Sequence, residues 1–121
     1  MSVNKVILVG NLVHDPRIFE FQNGGKNAQF ALATNKKVVN NENNSTTEYV
    51  EYHNIVIPSK GLATIAEQYL KKGDKVYLEG ELRTRKYEKD GITRSITEIY
   101  CNHLEMLPAR KEQATNEHIP F

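Results

Sequence analysis

The stretch KGLATIAEQYLKKG, Lys60 to Gly73, is where the chain changes its period. Leu62, Ile65, Ala66, Tyr69 and Leu70 recur every three or four residues, which places them on one stripe of a helix. The spacing predicts a helix that stops at Gly73 after two lysines. On both sides the period is two. Upstream, EYVEYHNIVI (Glu48–Ile57) sets Tyr49, Glu51, His53, Ile55 and Ile57 on one face of a strand. Val50, Tyr52, Asn54 and Val56 take the other face, and Pro58 ends the run. Downstream, DKVYLEGELRTRKYE (Asp74–Glu88) is again a strand, with Gly80 inside it as a bulge or sharp bend. KDG (Lys89–Gly91) makes a hairpin turn into the last strand, ITRSITEIYCNHLEML (Ile92–Leu107).

Toward the N-terminus, Val3 to Leu12 is an apolar, β-branched run closed by Gly10-Asn11, the first strand. HDP (His14–Pro16) is a turn, since Pro16 fixes its own φ and biases Asp15 away from helix. RIFEFQ (Arg17–Gln22) runs into NGG (Asn23–Gly25), a hairpin signal. KNAQFALATNKKVV then alternates Ala28, Phe30, Leu32 and Thr34 on one face, and these two segments read as the second strand and its return. NNENNSTT (Asn40–Thr47) is polar and reads as a mobile loop open to solvent. The order is three strands, one helix, two strands. It points to an all-β class, a five-stranded oligonucleotide-binding (OB-fold) barrel with one α-helix between strands 3 and 4. Residues 1–107 form that domain, and the polar, aperiodic residues 108–121 are expected to be a short flexible tail.

With 121 residues the chain has room for one domain and one core. Its net charge of +1 gives no sign of a polyanionic partner, so any electrostatic argument rests on distribution. The single Cys101 excludes an internal disulfide framework and fits a reducing, cytoplasmic setting. Four histidines and one cysteine without ligand spacing imply no metal site, and no cofactor is expected. The N-terminal apolar run is too short for a signal peptide or a membrane span. His14, His53, His103 and Cys101 are the candidates for acid–base or nucleophilic chemistry. None sits in a catalytic motif, so neither an enzyme nor a small-molecule substrate is expected.

Charge is concentrated in one place. Arg83 to Lys89 puts four cations and one tyrosine into seven residues. Alternation places Arg83, Arg85 and Tyr87 on one face and Leu82, Thr84 and Lys86 on the other. Such a segment is either a solvated strand face or a surface that holds a polyanion, because a single-stranded nucleic acid needs cations for phosphates and flat rings for bases. Tyr52 shares a face with Asn54 rather than with a pure core set, and Lys5, Lys60, Lys71, Lys72 and Lys86 could extend a cationic track.

The motifs VNKVILVGNL, DP followed by NGG, LAT, EYHNIVI, AEQYLKKGDKVYLEGELRTRKY and the terminal IPF closely resemble the bacterial single-stranded DNA-binding protein family. The likeness spans Val3 to about Leu107 and returns at the last three residues. It implies an OB-fold barrel, a homotetramer, and sequence-independent coating of single-stranded DNA in replication, recombination and repair. Residue by residue, Arg83, Arg85, Lys86 and Tyr87 match the family's DNA-contacting strand. Tyr52 matches a base-stacking aromatic, Lys5, Lys60 and Lys72 match basic positions near the DNA path, and His53 matches a position at the subunit interface, the alternative being a histidine satisfied within its own sheet. Ile119, Pro120 and Phe121 match a tip that docks replication and repair proteins.

Departures from the family pattern carry expectations too. There is no tryptophan, and Val38 and Pro58 stand where relatives place aromatic rings. With a ring worth about 1–3 kcal/mol per stacked base, binding should lean on phosphate charge and fall steeply with salt. Phe19 and Phe21 are expected to pack in the core or the hairpin, with compensation for the missing rings as the alternative. The linker before the tip is short, and its charged residues, Arg110, Lys111, Glu112 and Glu117, cancel, so docking through the tip should be weaker than with an acidic one. The rival reading is an interaction protein built on the same barrel, marked by weak DNA binding beside strong binding to a replication protein.

Overall fold

Alternation decides which side of each strand faces inward, and the burial of the strands follows it. In the computed structural model, which describes residues 1–108, the chain runs β1 (Val6–Leu12), β2 (Arg17–Glu20), β3 (Lys26–Asn40), β4 (Ser45–Ile57), α1 (Lys60–Tyr69), β5 (Lys75–Lys89) and β6 (Ile92–Met106). β1 pairs with β5, β5 with β6, β6 with β4, and β4 with β3. β3 returns to β1 through Leu32 and Ala33, which closes a five-stranded barrel and removes its edges. Ala28, Phe30 and Leu32 of β3, Ile55 and Ile57 of β4, Val76 and Leu78 of β5, and Ile99 and Cys101 of β6 fill the interior.

The helix lies between the fourth and fifth strands, not between strands 3 and 4 as the sequence suggests. The arm Arg17–Glu20 is a strand in its own right: the turn at Asn23–Gly25 folds it onto Lys26–Gln29 of β3, outside the closed ring. The helix also ends earlier, at Tyr69, and Gly73 (φ +92°) belongs to the turn that follows. Ser59 caps its start by accepting a hydrogen bond from the Leu62 amide. Its buried stripe is Ala63, Ala66 and Leu70 with Leu62 half-buried, while Ile65 and Tyr69 face solvent. Two alanines face the barrel, and the buried stripe is turned toward Ala63 and away from Ile65 and Tyr69.

The expected loop at Asn40–Thr47 is the largest correction. β3 and β4 continue as a paired ribbon out to Asn40 opposite Ser45, and only residues 41–44 are turn. The asparagines build that turn. Asn40 accepts from the Glu42 amide, Asn43 accepts from the Ser45 amide and hydroxyl, and Asn44 takes φ +57°. Both faces of this ribbon are wet, so no apolar alternation marks it as strand.

The last two strands form a second ribbon, turned by Asp90 (φ +55°) and Gly91 (φ +76°) as the KDG motif predicts. The irregularity expected at Gly80 is present: Glu79 faces His103 and Gly80 faces Cys101, which leaves Asn102 of β6 as the extra residue. A side chain at Gly80 would run into the Tyr100 carbonyl oxygen, so the close approach of β6 requires glycine there. The extra residue also keeps Glu98, Tyr100, His103 and Glu105 all on the outer side.

Candidate nucleic-acid interface

Beyond the barrel, β5 carries its cations outward in register with β6. Glu81 lies opposite Tyr100, Arg83 opposite Glu98, Arg85 opposite Ile96 and Tyr87 opposite Arg94. Opposed residues share a face, so Arg83, Arg85, Tyr87 and Arg94 form one surface. Lys86, opposite Ser95, lies on the reverse face. No local sequence pattern marks Arg94 as a site residue. Folding the hairpin about Asp90-Gly91 would have placed it beside Tyr87.

Both arginines of β5 are held by a carboxylate and lie near a ring. The Arg83 Nη2 is 2.9 Å from Glu81 Oε1, and its guanidinium sits 4.6 Å above the Tyr100 ring. Arg85 donates from Nε to Glu98 Oε1 at 3.0 Å and from Nη2 to Glu98 Oε2 at 3.3 Å, with its guanidinium 6.0 Å from the Tyr87 ring centre. Planar guanidinium groups suit both contacts. The Glu98 hydrogen bonds raise the Arg85 pKa above its ordinary value. Glu98 is 4% exposed, the one buried charged residue among those described.

Arg85 and Glu98 line a cleft of about 170 Å³. His14, Arg17, Gln29, Asn54 and Val56 are among the residues of its polar and apolar walls. Arg17, Gln29 and Asn54 form no local pattern in the chain, because only closure of the barrel brings them to Arg85. Tyr52 is one step along the outer face of β4 from Asn54 and is 66% exposed, open for stacking. β4 and β6 run parallel where they pair, so the β3–β4 and β5–β6 ribbons leave the barrel on the same side. Tyr52 stands on one and Arg85, Tyr87 and Arg94 on the other, with the cleft between their bases.

The remaining sequence candidates are dispersed. Lys5 is paired with Glu79 at 3.4 Å on the outer face of β1 and β5. Lys60 opens the helix and Lys72 lies past its end, where its amide binds Asp15; neither lines the cleft. His53 is half-buried, and its Nε2 meets Thr34 Oγ1 at 3.0 Å within its own sheet. Val38 is exposed on the β3–β4 ribbon, and Phe19 and Phe21 are exposed around the β2–β3 turn. The tip residues Ile119, Pro120 and Phe121 lie outside the described residues.

The groups that could do acid–base chemistry do not converge. His14 meets the Asp15 carbonyl, His103 meets Glu105, and Cys101 donates to the His103 carbonyl. Burial pushes the Cys101 thiol up to about 11, which keeps it protonated and a poor nucleophile. Among the described residues no group of three metal-ligating side chains is present, and no helix is long and apolar enough to cross a membrane.

Residues 3–107 match the family model described as the single-strand binding protein family. A single-stranded DNA-binding protein of Bacteroides thetaiotaomicron is 48% identical over 109 residues, covering 88% of this chain and 67% of that protein. One from Neisseria meningitidis serogroup A is 46% identical over 115 residues, 94% of this chain and 65% of that protein. The chain thus spans about two thirds of the length of these relatives. A solved structure, the Plasmodium falciparum SSB complex with ssDNA, superposes with a TM-score of 0.81 at 32% identity, covering 89% of this chain and 97% of that one.

Proposed function

Since the chain belongs to the single-strand binding protein family, we propose that it is a non-enzymatic protein that coats single-stranded DNA without regard to sequence. The observation that carries this is the outer surface of the two ribbons: Arg83, Arg85 and Arg94 beside Tyr87 on one, Tyr52 on the other. Phosphates run along the guanidinium track and bases stack on the two tyrosines. Lys86, on the reverse face of the ribbon, and Lys5, Lys60 and Lys72 contribute field rather than direct contacts. A duplex cannot offer its base faces to these rings, so the same surface prefers unpaired strands.

The role follows: protection of single strands in DNA replication, recombination and repair, in the cytoplasm. Assembly as a homotetramer is supported by Ile7 and Val9, apolar residues exposed on the outer face of β1. His53 belongs to the subunit contact by its match to the family position. Partner proteins dock on Ile119, Pro120 and Phe121, the apolar residues that match the family's docking tip. The test is competition of labelled oligo-dT with unlabelled single-stranded or duplex DNA over a salt series. Single strands should displace the label and duplex should not, and affinity should fall as salt rises. Equal competition by duplex overturns the reading.

A further inference from the structure

Glu98 is an acid in the middle of a surface read as an anion site. It is nearly sealed from water, and both of its oxygens are taken by Arg85. The Arg85 side chain itself is half exposed and lines the cleft, so it remains reachable by a phosphate. The Arg85 fork therefore has one carboxylate behind it and solvent in front. Resting on the single-strand reading above, we infer that Glu98 is a built-in counter-ion, a positioning residue that holds Arg85 toward the strand while cancelling its charge.

The consequence lies in the salt dependence of binding. Single-stranded nucleic acid releases ions as its phosphates are neutralised, with a log–log slope of about −0.7 per phosphate. A phosphate that meets the Arg85–Glu98 pair meets a donor with no net charge. It gains hydrogen bonds but keeps its counter-ion, so this contact adds affinity without adding slope. Arg94 differs: among the described residues it has no acidic partner within ion-pair distance. Arg83 is intermediate, because its partner Glu81 is itself partly exposed and screened. The steep salt dependence expected from the missing rings is opposed by this pairing.

The experiment measures oligo-dT affinity over a tenfold salt range for the protein and for Glu98→Gln. Gln keeps the shape and one acceptor for Arg85 but removes the charge. Its slope should steepen by about 0.7 per subunit engaged, so that its affinity relative to the parent changes about fivefold across the range. An unchanged or shallower slope in a folded Glu98→Gln protein overturns the inference. Glu98→Asp, which keeps the charge, should restore the parental slope; a steepened slope there counts against it. If Glu98→Gln fails to fold, the neutral double variant Arg85→Gln with Glu98→Gln decides the matter. It should bind more weakly at every salt concentration with an unchanged slope, whereas a slope shallower by about 0.7 shows that Arg85 acted as a full countercharge and overturns the inference. A parent protein that does not bind oligo-dT instead sinks the functional reading itself.

Discussion

One strand, β5, has two halves that obey the same alternation to different ends. From Lys75 to Leu82 it is barrel wall: Val76, Leu78 and Gly80 are buried, and the residues between them face outward. From Arg83 to Lys89 every residue is exposed, and alternation now sorts chemistry rather than polarity. Arg83, Arg85 and Tyr87 go to one side, and Thr84, Lys86 and Glu88 to the other. In the first half a misplaced side chain is resisted by a packed core. In the second half nothing resists it except the ladder and the loss of a ligand. The two halves should therefore fail in different assays.

The largest effect is expected in the outer half. Replacing Arg83, Arg85, Tyr52 and Tyr87 together by alanine leaves the apolar core untouched, although it strips the buried Glu98 of its Arg85 partner and should lower the melting midpoint. Loss of two stacking rings alone should weaken oligo-dT binding by about 2–6 kcal/mol, from about 30-fold to more than 10,000-fold. The melting curve should stay cooperative. A folded quadruple variant with parental affinity would mean that the ribbons are not the binding surface.

The inner half gives the converse. Leu78 is fully buried in the core, and Leu78→Ala should cost about 2–5 kcal/mol of stability through lost burial and the cavity left behind. Urea unfolding reads this directly. At concentrations of denaturant where the variant remains folded, its DNA affinity should match the parent. A large affinity loss without a stability loss would show that the two halves of β5 are not separable.

The same division explains what could be read from the sequence. Where one face is buried, period-two patterns were informative: Ala28, Phe30 and Leu32 point inward as expected, and so do Ile55 and Ile57. The Asp90-Gly91 turn and the irregularity at Gly80 were legible because each requires a particular backbone. The outer β3–β4 ribbon was not, since a strand with two wet faces has the composition of a loop, and Asn40, Asn43 and Asn44 hold its turn by side-chain or left-handed backbone geometry. At the site, the face holding Arg83, Arg85 and Tyr87 was legible from alternation within one strand. Arg17, Asn54 and the Glu98 lock on Arg85 were not, since they depend on register between strands distant in sequence.

The smallest effect tests the outer face of the inner half, where the protein's own polar groups meet one another. The Tyr77 hydroxyl donates to Glu79, and Lys5 lies beside the same carboxylate. These contacts hold the Glu79 carboxyl below its usual 4.5, the Tyr77 hydrogen bond first and Lys5 after it, with His103 also favouring the charged form. A depressed carboxylate pKa stabilises the fold above the unfolded value and is lost as pH falls through the folded one. The same hydrogen bond raises Tyr77 above 10, and that contribution is lost as pH rises through its folded pKa. Glu79→Gln should therefore melt below the parent at pH 6 to 8, and the gap should close as the pH falls well below 4.5. Oligo-dT affinity at neutral pH should change little, since Glu79 lies on the barrel wall and not on the ribbon. A gap that stays constant from pH 7 to pH 3 would show that the Glu79 charge contributes nothing to the wall.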